Sequence, residues 1–179
     1  MTTMTNSNGL EIGRWPGRQD LQAKQVSQLV ITDVATGEHR LVLESDQLIE
    51  SPNWTPDGEW LIVNGQGRLY RIRADGTGPL EQIQVTGVRG VNNDHVLSPD
   101  GRRIYFGADG HLYSVPIKGG AAHRISNDHP DEQQHSYWLH GVSPDELELA
   151  YVSVEPERDR PRARRNLATS QHEAASTTS

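Results

Sequence analysis

Two histidines stand at one place in a repeated pattern. His95 and His140 each lie three residues before the serine of a Ser-Pro-Asp turn, Ser98-Pro99-Asp100 and Ser143-Pro144-Asp145. Neutral imidazoles are ordinary ligands for divalent transition metals, and they lose that capacity on protonation near pH 6.5. Asp94 and His135 lie close by in sequence and complete a candidate metal set of His95, His140, Asp94 and His135. His95 and His140, with Trp138, are also the candidate ligand contacts. The plainer alternative makes both histidines hydrogen-bonded strand residues beside a channel wall. No catalytic residue is assigned, because no Gly-x-Ser-x-Gly elbow, His-Glu-x-x-His pair or cysteine occurs, and the reading leans away from an enzyme. His111, at a turn exit, is expected to face solvent, and Tyr70 and Tyr113 to pack between strands.

The elements that position these residues are legible in three aligned turns. Thr55-Pro56-Asp57-Gly58 matches Ser98-Pro99-Asp100-Gly101 and Ser143-Pro144-Asp145-Glu146. A hydroxyl leads and can bond the turn backbone, Pro sets φ, Asp suits the second central position and Gly accepts φ > 0 at the exit. In the third copy Glu146 stands where Gly belongs, so it either takes a costly left-handed conformation or changes the turn type. Beyond the turns, Leu61-Ile62-Val63 matches Ile104-Tyr105-Phe106 and Leu149-Ala150-Tyr151, and Gly67-Arg68-Leu69-Tyr70 matches Gly110-His111-Leu112-Tyr113. Short apolar runs between turn signals, repeating every ~40–45 residues, are the pattern of four-stranded propeller blades.

The Pro-Asp-Gly turn followed by Leu-Tyr and a Gly turn resembles the WD-like repeat of TolB-type propellers, over residues 27–154. The predicted fold is therefore all-β, a partial propeller of roughly three to four antiparallel blades. In such a fold the first strand of each blade is innermost, which would bring His95 and His140 from adjacent blades toward the axis. The resemblance implies a non-catalytic scaffold that binds a protein or small ligand at the loop face near the axis. The histidine pair is also similar to the metal arrangement of oligogalacturonate lyases, which implies a metal-dependent carbohydrate-active enzyme as one alternative. In such an enzyme a divalent metal polarises the substrate carboxylate while a base removes the α-proton. A propeller accessory domain of a peptidase is the other.

Composition sets limits. Among 179 residues, 17 are basic and 24 acidic, giving a net charge of −7 that argues against a general nucleic-acid surface. No apolar run approaches the ~20 residues of a membrane span. The N-terminal sequence lacks a basic start and an apolar core, so the expected location is cytoplasmic, whereas TolB relatives are periplasmic.

Residues 1–26 are expected to be irregular. The first strand, near Leu29–Asp33, aligns with the third strand of later blades, so the chain enters in the middle of a blade. Complete blades are expected over 50–86 and 92–126, and a third begins at Ser136–Val142 and Leu147–Val154. Residues 155–179 hold one Leu, no Val, Ile or aromatic residue, and five arginines at 158, 160, 162, 164 and 165. That composition predicts a disordered basic and polar tail without strands. Closed propellers use about 4–8 blades, so the chain reads as a fragment of a longer propeller, or as one whose reading frame changed near Val154. Exposed blade edges predict self-association.

Overall fold

The computed structural model describes residues 21–127 and 135–154 and the backbone of a strand at 168–171. Every regular element among them is a strand. β1 (Ser27–Thr32) and β2 (His39–Ser45) form a two-stranded antiparallel sheet. β3 (Glu50–Trp54), β4 (Trp60–Gly65), β5 (Arg68–Arg73) and β6 (Glu81–Ile83) form a four-stranded sheet in chain order, the first complete blade. After β7 (Val85–Thr86), the second blade comprises β8 (Val91–Leu97), β9 (Arg103–Ala108), β10 (His111–Pro116) and, past β11 (Gly120–Ala121), β12 (His123–Arg124). β13 (Ser136–Val142), β14 (Glu148–Val154) and β15 (Ala168–Gln171) make a three-stranded sheet.

The turns work as their residues dictate. In each Ser/Thr-Pro-Asp turn the hydroxyl donates to the Asp carboxylate: Thr55 to Asp57 at 2.5 Å, Ser98 to Asp100 at 2.6 Å and Ser143 to Asp145 at 2.6 Å. That bond, with a backbone N–H two residues beyond each Asp, holds all three carboxyls below their usual pKa. Glu146 resolves the question raised by its type: it takes the left-handed conformation, φ 59°, and closes the same turn with its N–H on the Ser143 carbonyl. Its carboxylate lies beside the buried Tyr105 hydroxyl, whose pKa is raised by burial first and by Glu146 second.

Blades meet face to face in apolar seams. Between the first and second blades lie Ile62, Leu69, Ile104, Phe106 and Val115, all at most 1% exposed. Between the second blade and β13–β14 lie Tyr105, Leu112, Tyr137, Leu139 and Leu149. Leu29 and Val42 of the β1–β2 sheet close on Leu61, Val63 and Ile72 of the first blade. A short parallel pairing, Val85 with Gly120 and Thr86 with Ala121, ties the outer edges of the two complete blades.

One expectation is corrected. Beyond residue 154 no strand was expected, yet β15 pairs antiparallel with β14 from Glu148–Gln171 to Tyr151–Ala168. An open strand edge offers a ladder of N–H and C=O groups that even a polar segment can satisfy, so apolar content alone misjudges it. The five arginines of 158–165 and the segment 1–20 lie outside the described residues.

Candidate functional site at the loop face

The up-and-down strand order sends alternate connections to opposite ends of the blades. The Pro-Asp turns share one end, where a Cβ on Gly101 would lie 2.9 Å from Pro56 Cδ of the preceding blade. The opposite end carries the Gly65-Gln66-Gly67 and Ala108-Asp109-Gly110 turns together with the connections that enter β8 and β13. There the Val91 N–H donates to the Gly67 carbonyl at 3.1 Å, and the Arg89 N–H to Asp109 Oδ2 at 3.0 Å. A cleft of about 520 Å³ opens at this end, between the Gln66–Leu69 turn, the Gln82–Val85 strand end and the Val88–Val91 connection. Its polar lining is Gln66, Arg68, Gln82, Gln84 and Arg89. Arg68 and Arg89 are exposed at the mouth, and Leu69 and Ile83 form a buried apolar floor.

The equivalent place one blade later is filled by rings. His111 and His135 stand 5.1 Å apart between ring centroids, and His135 lies 5.6 Å from Tyr137. Tyr137 meets Tyr151 edge-on at 5.1 Å. His111 Nδ1 shares a 3.0 Å hydrogen bond with Ser126 Oγ. His111 is therefore half-buried in a stack, not solvent-facing as its turn position suggested.

The sequence-predicted residues are placed apart. His95 is 3% exposed on β8 and points into the seam, where Nε2–H donates to the Ile62 carbonyl at 3.3 Å. Burial pushes its pKa below the usual histidine value, and the backbones of Ile62 and Asn93 offset this in part. His140 is exposed on β13. The reason is a one-residue irregularity: Gly141 pairs with Ala150 and Leu139 with Tyr151, so His140 is bulged out of register. Tyr151 is the counterpart of Phe106, which His95 faces, so Leu139 and not His140 fills the slot of His95. The expected equivalence of the two histidines is thus corrected.

Asp94 is half-buried beside Asn92, whose Oδ1 accepts the Asp94 N–H at 2.9 Å. Trp138 is half-buried on the face of β13 opposite Leu139, paired with Val152. His135 joins His111 rather than His95. Among the described residues, no three His, Cys, Asp or Glu side chains gather as a metal-holding group.

Sequence reasoning missed the glutamine- and arginine-lined cleft. A signal was present: Gly67 and Gly110 are repeat equivalents, and their partners across the seam, Gly90 and His135, mark one place in successive blades. A Cβ on Gly67 would approach Gly90 Cα to 3.1 Å, and one on Gly110 would approach the His135 carbonyl to 3.2 Å.

An uncharacterized protein of Agrobacterium fabrum is 34% identical over 134 residues, 72% of this chain and 43% of its own length. A solved TolB-type structure from Agrobacterium tumefaciens superposes with a TM-score of 0.61 at 30% identity, covering 69% of this chain and 44% of that one. The chain is a TolB-like β-propeller. TolB from Acinetobacter baumannii shares the fold at 21% identity and a TM-score of 0.52, over 80% of this chain and 37% of its own. An oligogalacturonate lyase in complex with manganese shares it at 17% identity and a TM-score of 0.50, over 70% of this chain and 35% of its own. No family model matches. This TolB-like propeller thus spans under half the length of the relatives it matches. No helix among its described residues is long and apolar enough to cross a membrane.

Proposed function

We propose that this TolB-like propeller segment is a non-catalytic scaffold that takes a protein partner at its loop face. The cleft carries the reading. It sets two guanidinium groups, Arg68 and Arg89, around three glutamine amides, above an apolar floor of Leu69 and Ile83. Guanidinium forks suit carboxylates, and primary amides suit the donors and acceptors of a peptide backbone. The complementary partner segment is an extended stretch bearing acidic side chains. A free small anion would use the guanidinium groups alone.

The test is fluorescence anisotropy with a labelled decapeptide of Glu, Asp and Gly, competed with free glutamate and with a Lys/Gly peptide. Native protein should bind the acidic peptide, and Arg68→Glu/Arg89→Glu should bind it roughly tenfold or more weakly, the loss of two charge-assisted contacts. Equal binding by both proteins, or full competition by free glutamate, contradicts a protein partner at this cleft.

A further inference from the structure

The walls of the cleft come from two blades, and a residue outside its lining holds one of them. Gln66 and Asp109 are repeat counterparts, each the first residue of the two-residue turn between the second and third strands of its blade. Such turns need φ > 0 at both positions. Gln66 and Asp109 supply it at φ 48° and 49°, and the glycines that follow, Gly67 and Gly110, at 73° and 79°. Gln66 lines the cleft directly. Asp109 instead reaches back to the connection that enters its own blade, where its Oδ2 accepts the Arg89 N–H at 3.0 Å.

That connection needs an anchor. Val88 and Arg89 lie between two left-handed glycines, Gly87 at φ 88° and Gly90 at φ 68°, and glycine leaves the backbone its widest freedom. A Cβ on Gly87 would meet nothing within 4 Å, so the chain is open on that side. Strand pairing of the second blade begins at Val91, opposite Ala108. Asp109 follows Ala108, and its side chain carries the pairing past the end of the ladder onto Arg89. Its Oδ1 lies 3.7 Å from where a Gly90 Cβ would stand, so both carboxylate oxygens run along the connection. From the other side, the Gly67 carbonyl of the first blade accepts the Val91 N–H at 3.1 Å. The connection is thus clamped between one turn of each blade.

We infer that Asp109 is a positioning residue for the cleft: it holds the wall that carries Arg89 against the turn that carries Arg68, so that one acidic segment engages both guanidinium groups. The inference rests on the reading of the cleft as a partner site. A charged side chain on a loose connection must be ordered on binding, and that ordering is subtracted from the affinity. The role of Asp109 runs against its charge. A carboxylate beside the cleft repels an acidic ligand, so charge alone makes any neutral replacement bind such a ligand more tightly. Positioning instead makes the replacement's capacity to accept a hydrogen bond decisive. Asp109→Asn and Asp109→Gly remove the same charge and both suit φ 49°, but only asparagine keeps a side-chain acceptor for the Arg89 N–H.

Anisotropy with the labelled acidic decapeptide, at one ionic strength, and amide exchange at Arg89 test this on the full chain, with thermal melts as the check on folding. Asp109→Gly should bind the peptide about fivefold more weakly than the native chain, the loss of one hydrogen bond to a charged acceptor. Its Arg89 amide should exchange roughly tenfold faster than in the native chain. Asp109→Asn should bind at least as tightly as the native chain and keep Arg89 exchange within about threefold of it. Equal binding by the two variants, or Arg89 exchange in Asp109→Gly as slow as in the native chain, would overturn the positioning role while native binding, and with it the partner reading, stands. A native chain that does not bind the peptide overturns the partner reading and the role that rests on it.

Discussion

The seam between the two complete blades and the sheets at the chain's ends are built from the same repeat, but they differ in what backs them. In the seam, β9 and β4 present Ile104, Phe106 and Ile62 with no exposure at all. At the ends, strands with the same turn chemistry leave Val30, Leu41, Val152 and Val154 about half exposed. The repeat therefore fixes strand order and turn geometry locally, while burial comes from the neighbour. An end sheet covered on one face only keeps its shape through backbone pairing and that single seam, and lacks the apolar stabilisation of a second one, roughly 25 cal/mol per Å² of covered area.

Two glycines sharpen the contrast most. Gly119 and Gly37 both have φ in the left-handed region, at 90° and 76°. Gly119 is jammed against the Gln84 carbonyl in the seam, whereas a Cβ on Gly37 would meet nothing within 4 Å. Gly37→Ala should cost only the backbone strain, about 1–2 kcal/mol. Gly119→Ala should cost that plus an overpacking penalty of about 1–3 kcal/mol. Urea unfolding of the two variants measures the difference. Equal losses would mean that the seam yields as readily as the open end.

His95 gives a smaller effect with a definite sign. Unfolded, it takes up a proton near pH 6.5, while in the seam its pKa is lowered by burial. Between those two values the unfolded chain binds more protons, so stability falls as pH drops below about 6.5 and levels off beneath the folded pKa. Above pH 6.5 the group is neutral in both states and adds no pH dependence. Leu139 already fills the equivalent slot in the next seam, so His95→Leu should fold, stay within about 1 kcal/mol of native at pH 7.5 and flatten the stability profile between pH 6.5 and 5. Melting temperatures across that range check it. An unchanged profile would remove His95 as its source.

Much of this contrast was legible in the residues. The three Pro-Asp turns located every first and second strand, and the Gly-Leu-Tyr match located β5 and β10, because turn chemistry and short apolar runs are local signals. The candidate site was less legible. Equal spacing from a turn made His95 and His140 look equivalent, but a bulge changes register without any change in spacing, and side-chain direction follows register. The His111–His135 contact and the glutamine- and arginine-lined cleft both depend on how one blade's turn meets the next blade's entry segment. β15 was missed because edge pairing is a backbone property that composition does not report.

Amide hydrogen exchange on the full chain, at concentrations dilute enough for one copy per particle, tests the central contrast most directly. The account predicts the slowest exchange in β4, β5, β9 and β10, where strands are paired on both edges and covered on both faces, and markedly faster exchange in β1, β2 and β14. Protection in β1–β2 or β14 equal to that in β9 would contradict it.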